Sequence, residues 1–118
     1  MEIRDIIKEF LEGKHTKSQD STEIIELEKN KDYSLAYGEL KPGIKNRKHK
    51  IQMREIYYFL EGEGIIEIEG QQEKVSAGKF VTIPKNAVQW LKNTGEKPLR
   101  FLMLVNPPYD QKKEEILE

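Results

Sequence analysis

The stretch that decides the fold covers residues 43–62 and reads GIKNRKHKIQMREIYYFLEG. Side chains along a β-strand point alternately to its two faces. An uninterrupted strand would therefore place the odd-numbered residues on a single face: His49, Ile51, Met53, Glu55, Tyr57 and Phe59. A turn between His49 and Glu55 would interrupt this alternation, and the two side chains need not then share a face. The stretch predicts a strand that carries an imidazole and a carboxylate on a largely apolar face.

The same period of two extends over most of the chain from Glu23 onward. Nine β-rich runs are separated by Gly, Pro or Asn clusters: 23–29, 33–40, 47–51, 55–60, 65–69, 72–76, 80–83, 88–92 and 99–105. Most loops are short, which predicts antiparallel neighbours. No crossover helices are present, so a parallel βαβ arrangement is excluded. Periodicity alone leaves a sandwich and a closed barrel as alternatives.

The two ends of the chain follow other patterns. Apolar residues between Ile3 and Leu11 recur at helical spacing, and Gly13 supplies a stop, which predicts one amphipathic helix. Residues 14–22 are polar and are interpreted as a connector, in which His15 is expected to be a solvated surface residue. Residues 109–118 are dominated by charge, so no further strand is expected there. The predicted organisation is a helix and connector over 1–22, a β-domain over 23–108 and a charged tail over 109–118.

Length and composition exclude several classes of function. The chain has 118 residues, and 20 Lys and Arg against 21 Asp and Glu leave a net charge of -1, which argues against nucleic acid as a partner. Cysteine is absent, which excludes disulfides, thiolate metal sites and cysteine nucleophiles. Apolar runs are no longer than five residues, far short of the ~20 that span a bilayer, and no membrane partner is expected. The N-terminus interleaves charges with apolar residues, unlike a secretory signal, so a cytoplasmic location is expected.

The first half of the β-domain contains a spaced motif. Gly43, His49, Ile51, Glu55 and Gly62 follow the spacing Gly-x5-His-x-His-x3-Glu-x6-Gly, with Ile51 at the second histidine position. This is the first motif of the cupin superfamily, which the segment resembles.

A second motif lies further along the chain. Gly78, Pro84, Asn86, Gln89 and Asn93 follow the spacing Gly-x5-Pro-x-Gly-x2-His-x3-Asn, with Gln89 at the histidine position. Asn86 replaces a turn glycine, whose left-handed conformation Asn can adopt. Asn93 is interpreted as a turn cap. The chain thus resembles a small single-domain cupin over about two thirds of its length.

The resemblance implies an all-β fold, a jelly-roll β-barrel with a short N-terminal helix, and a degenerate metal site. A complete cupin site holds a divalent transition metal with imidazoles and a carboxylate, and two of the four ligand positions are substituted here. A reduced set of His49, Glu55 and Gln89 remains for a weakly bound metal, because amide oxygen is a poor donor to transition metals. Ile51 contributes apolar wall instead of a ligand.

The alternative for this set is a site without metal. His49 would then be hydrogen-bonded to Glu55 and would hold it ionised, and the pair would be the candidate acid–base catalyst. Gln89 would be a buried amide satisfied inside the barrel and would face inward with Leu91. The candidate ligand-binding residues are His49, Ile51, Glu55, Tyr57 and Gln89.

Three functions stay open at this point. The preferred one is a cupin that binds a small organic molecule in its barrel, as a homodimer. The second is a metal-dependent cupin enzyme, either a sugar-phosphate isomerase of the phosphomannose type or a dioxygenase, and whether the chain is an enzyme is left undecided. The third is a non-catalytic sensory or scaffold module. The dimer is motivated by edge strands that need protection.

Overall fold

The computed structural model describes residues 1–118 and is built almost entirely of antiparallel β-strands. The elements in chain order are α1 (Ile6–Leu11), β1 (Thr16–Lys17), β2 (Glu23–Lys29), β3 (Ser34–Leu40), β4 (His49–Ile51), β5 (Arg54–Glu61), β6 (Glu63–Ile68), β7 (Gln71–Ser76), β8 (Phe80–Ile83), β9 (Gln89–Asn93), β10 (Leu99–Asn106), a 3-10 turn (Gln111–Lys113) and β11 (Glu114–Ile116). All nine predicted strands are confirmed, several within one residue at each end. The predicted helix is also confirmed, although it begins only at Ile6.

The strands form two sheets that enclose the interior. One sheet has the order β1-β2-β3-β10-β5-β8, and the other has the order β11-β4-β9-β6-β7. Non-consecutive strands are neighbours in both sheets, as in the predicted jelly roll. The main core lies between the sheets, and its largest fully buried members include Tyr57, Phe59, Leu91, Leu99 and Phe101. The three aromatic rings of this group pack with centroids 5.4 to 6.1 Å apart.

The stretch from His49 to Phe59 is broken at Gln52 and Met53, where the chain leaves one sheet for the other. The alternation nevertheless continues through the break. Every residue of the predicted inward parity is buried: His49, Ile51, Met53, Glu55, Tyr57 and Phe59. The two-residue period of inward side chains continues across the bend, so side chains from both sheets point into one interior. Gln89 and Leu91 on β9 also face inward, as predicted.

The C-terminal segment forms a strand, so the expectation that no further strand follows residue 108 was wrong. β11 pairs antiparallel with β4, with Glu114 opposite Ile51 and Ile116 opposite His49. A strand of three residues with two glutamates has too little alternation to be recognised in the sequence. It is held by backbone hydrogen bonds to an edge of the sheet, which do not depend on side-chain type.

The connector before β2 is also more structured than its polar composition indicates. β1 pairs with β2, and Asp20 and Thr22 are both buried. His15 is half-buried and stacks on Phe10 with centroids 4.1 Å apart, so its expected solvation was wrong. None of the helices combines the length and apolar character needed to cross a bilayer.

Candidate functional site

A cavity of about 110 Å³ opens between the two sheets, close to β4 and β11. One part of its wall is apolar and is formed by Ile24, Leu35, Ala36, Ile51, Met103 and Val105. Its polar part is formed by Ser18, Asp20, Thr22, Glu26, Lys29, Ser34, His49, Glu55, Tyr109 and Glu114. The cavity therefore combines hydrocarbon surface with a concentration of titratable groups.

His49 lies on β4 and is only 2% exposed. Its Nδ1 lies 2.6 Å from the Arg47 backbone oxygen. A carbonyl oxygen only accepts hydrogen bonds, so Nδ1 carries the proton. The Nε2 atom then faces the cavity and lies 3.3 Å from Asp20 Oδ2. In the neutral imidazole this nitrogen holds the free lone pair, and in the imidazolium it would donate to Asp20.

Asp20 is positioned by the turn in the connector. Its Oδ1 accepts hydrogen bonds from Ser18 Oγ at 2.6 Å and from the Thr22 backbone N–H at 2.9 Å. The Asp20 backbone oxygen accepts from the Arg47 N–H at 2.7 Å, which ties the connector to the residues before β4. These contacts direct the second oxygen, Oδ2, toward His49.

Glu114 enters the cavity from β11. Its Oε1 accepts a hydrogen bond from the Tyr109 hydroxyl at 2.6 Å. Burial raises the pKa of Glu114 and the charge of Asp20 raises it further, while the Tyr109 hydrogen bond and His49 act in the opposite direction. Ligand-type atoms of Asp20, His49 and Glu114 all lie within 4.8 Å of one another.

A second polar group lies beside this cluster. Gln89 Nε2 donates to Glu55 Oε1 at 3.0 Å, and the Tyr57 hydroxyl donates to Gln89 Oε1 at 3.1 Å. Burial raises the pKa of Glu55 to about 8; the hydrogen bond from Gln89 lowers it, and the charges of Asp20 and Glu114 raise it. Glu55 is therefore mainly protonated at neutral pH.

The structure brings only part of the predicted set to the cavity wall. His49, Ile51 and Glu55 line it, whereas Tyr57 and Gln89 are buried outside the lining. The predicted hydrogen bond between His49 and Glu55 was wrong, because the side-chain partner of His49 is Asp20. The ionised Glu55 was expected only if it contacted His49; its hydrogen-bond partner is Gln89 instead, and burial raises its pKa.

The family's four metal-ligand positions do not fit a metal in this chain. Ile51 offers no donor atom, and the side-chain oxygen of Gln89 already accepts the Tyr57 hydrogen bond. The amide nitrogen of Gln89 donates a hydrogen bond to Glu55. If the amide turned toward a metal, Glu55 would lose this partner. The reduced set of His49, Glu55 and Gln89 thus has little support from the geometry.

Asp20 and Glu114 are the site residues that the sequence interpretation missed. Asp20 lies in the pattern Ser18-x-Asp20-x-Thr22, which is a signal for a side-chain-capped turn but not for burial. Glu114 is one of two adjacent glutamates in the charged tail, and nothing in the sequence distinguishes it from Glu115.

Comparison with known proteins places this geometry in a family. The family model described as cupin domain matches residues 36–105. An uncharacterized protein of Methanocaldococcus jannaschii is 36% identical over 86 residues, which are 72% of this chain and 69% of that protein.

Solved structures agree with this match. The crystal structure of a predicted oxalate decarboxylase from Thermotoga maritima has a TM-score of 0.68 and 29% identity, covering 73% of this chain and 80% of that one. A double-stranded β-helix domain protein from Klebsiella pneumoniae has a TM-score of 0.79 at 16% identity, covering 100% of this chain and 98% of that one, and shows the fold alone. Because the family model matches more than half of the chain and the two sheets form the expected barrel, this chain belongs to the cupin family.

Proposed function

We propose that this cupin binds a small organic molecule in the cavity between its two sheets. The observation that carries the proposal is the cavity itself, which is lined by hydrocarbon on one part and by titratable groups on the other. Such a combination is typical of ligand sites, in which apolar walls supply contact and a few polar groups fix orientation. The volume of about 110 Å³ lies well below the roughly 300 Å³ at which drug-sized pockets begin, so the ligand has few heavy atoms.

The polar part of the cavity restricts the chemistry of that ligand. Asp20 and Glu114 present carboxylate oxygens, which accept hydrogen bonds, while protonated Glu55 can both donate and accept. Carboxyl groups outnumber Lys29, the one lysine of the lining, so a bare anion would meet mainly like charge. A neutral or cationic molecule fits this cavity best. Its hydroxyl or amine groups would contact the polar part of the wall, and its hydrocarbon would contact the apolar part.

Ligand binding is tested by thermal unfolding with a panel of small polyols, amino alcohols, amines and organic acids, all in the presence of EDTA. A ligand at 100 times its Kd should stabilise the protein by about 2.7 kcal/mol. Ala36→Leu adds bulk to the cavity wall and should abolish the shift. Ala77→Leu makes the same change in an exposed turn outside the cavity and should leave the shift intact.

The outcome also separates binding from the scaffold alternative. A panel in which no compound raises Tm contradicts the binding proposal and favours a sensory or scaffold module. A shift that survives Ala36→Leu shows binding elsewhere and contradicts the assignment to this cavity.

A metal-dependent enzyme is the second candidate, and one observation favours it. The Thermotoga maritima structure that is 29% identical is described as a predicted oxalate decarboxylase. Incubation of this protein with oxalate and Mn²⁺, followed by measurement of formate, tests a shared activity. Absence of formate above the level of a His49→Ala variant contradicts it.

The homodimer expected from the sequence remains a proposal. Its support is the set of sheet edges formed by β1, β8, β11 and β7, which a second chain could protect. Sedimentation velocity decides it, because a single species of 13.9 kDa at all concentrations contradicts a dimer.

A further inference from the structure

The cluster of Asp20, His49 and Glu114 has the features of a metal site that differs from the one marked by the family's motifs. Its three side chains come from the connector, from β4 and from β11, and their ligand-type atoms lie within 4.8 Å of one another. Only His49 belongs to the motif positions. We propose that these three residues bind a divalent first-row transition metal ion, and this proposal stands whether or not an organic molecule also binds in the cavity.

Hydrogen bonds from outside the cluster hold each of its three side chains. Asp20 Oδ1 is held by Ser18 and Thr22, Glu114 Oε1 is held by Tyr109, and His49 Nδ1 is held by a backbone carbonyl. Each side chain therefore has one polar atom fixed by a partner outside the cluster and a second polar atom left for the cluster. Outer contacts of this kind orient metal ligands and set the histidine tautomer.

His49 is the most deeply buried member of the cluster. This imidazole is 2% exposed, and its Nε2 faces a single side-chain partner, Asp20 Oδ2 at 3.3 Å, which is itself a member of the cluster. A nitrogen lone pair buried next to two carboxylates gains little from them while it is neutral. A metal ion between these atoms would accept the lone pair of Nε2.

The cluster also concentrates negative charge. Asp20 and Glu114 bring two carboxylates into a site that is largely removed from water, where like charges destabilise one another. An imidazolium would balance only one of them. A divalent cation balances both, and it leaves the imidazole free to act as a neutral ligand.

The donor set also indicates which cations fit. One imidazole and two carboxylates mix a nitrogen donor, which suits Zn²⁺ and Fe²⁺, with oxygen donors, which suit Mn²⁺. Ca²⁺ and Mg²⁺ prefer oxygen ligands alone and should bind more weakly. Three protein ligands leave coordination positions open toward the cavity.

The test uses the full chain after dialysis against EDTA, without any organic ligand. Zn²⁺ and Mn²⁺ are titrated by isothermal titration calorimetry into the wild type, Asp20→Asn, Glu114→Gln and Glu55→Gln. Glu55→Gln is the matched control, since it makes the same change in the same cavity, at a motif position outside the cluster. We expect one site per chain, affinity lowered at least about tenfold by each cluster variant, and less than threefold by Glu55→Gln.

X-ray absorption of the zinc-loaded wild type gives a second readout that needs no variant to fold. One imidazole nitrogen among oxygen ligands supports the site. The proposal is overturned by absence of binding at 1 mM metal, by two imidazoles in the absorption spectrum, or by affinity that Glu55→Gln lowers and Glu114→Gln does not. Because the organic panel is run in EDTA, either proposal can fail without the other.

Discussion

Glu55 provides the sharpest test of how burial in this barrel changes the pKa of a carboxyl group. Its carboxyl group is buried, accepts one hydrogen bond from Gln89 and lies near the charges of Asp20 and Glu114. Burial raises its pKa from 4.5 to about 8. Replacing Glu55 with Gln keeps the shape and an oxygen that can accept from Gln89, but it removes the titration.

The sign of the effect follows from which state holds the proton. Below pH 4.5 the carboxyl is protonated in both the folded and the unfolded chain, so Glu55 adds no pH dependence. Between pH 4.5 and about 8 the unfolded chain releases the proton while the folded chain keeps it, so stability falls as the pH rises. Each pH unit inside this window is worth about 1.4 kcal/mol, and the whole window is worth roughly 5 kcal/mol.

The assay is urea unfolding of the wild type and Glu55→Gln in EDTA at pH 5, 6, 7 and 8. Between pH 5 and pH 8 the wild type should lose roughly 4 kcal/mol relative to the variant. His49, Tyr57, Asp20 and Glu114 are present in both proteins, so the difference isolates Glu55. Glu96→Gln serves as the control, since Glu96 is exposed and makes no side-chain hydrogen bond or ion pair.

Parallel stability curves for the wild type and Glu55→Gln would mean that the folded protein keeps Glu55 ionised. That result would refute the argument from burial.

Further predictions concern the turns and the C-terminal strand. Asn93→Ala should cost about 2–4 kcal/mol in urea unfolding, because Leu40, Gly95 and Lys97 each lose the side-chain partner of a backbone group; a loss below about 1 kcal/mol contradicts this. Asn86 has a φ of +66°, so Asn86→Gly should be within about 0.5 kcal/mol of the wild type, whereas Asn86→Val should cost about 1–2 kcal/mol; equal stability of the two variants would show that the turn tolerates a branched residue. Deletion of residues 111–118 removes β11 and should lower Tm and speed hydrogen exchange in β4; unchanged exchange there would show that β11 does not protect this strand.

The repeating part of the fold could be predicted from the sequence because its signal is local. Alternation along each strand is set by which side chains must leave water, so the nine strands and the shared face of His49 and Glu55 follow from neighbouring residues. The inward direction of Gln89 followed from the resemblance to the cupin motif. The barrel was expected from the resemblance of the motif spacing to that of cupins. The motif glycines Gly43, Gly62 and Gly78 have φ values of +79°, +90° and +89°, which explains why glycine stands at these positions.

The partners of the buried titratable groups were decided only by the tertiary structure. Asp20, His49 and Glu114 lie far apart in the chain, and their segments meet through backbone hydrogen bonds: the Arg47 N–H to the Asp20 oxygen and the Leu117 N–H to the Lys48 oxygen. Backbone N–H and C=O groups are nearly the same at every residue, so their pairing imposes no pattern on the sequence from which it could be predicted. Sequence patterns thus determine which side chains enter the barrel, and long-range closure of the chain determines which of them face one another.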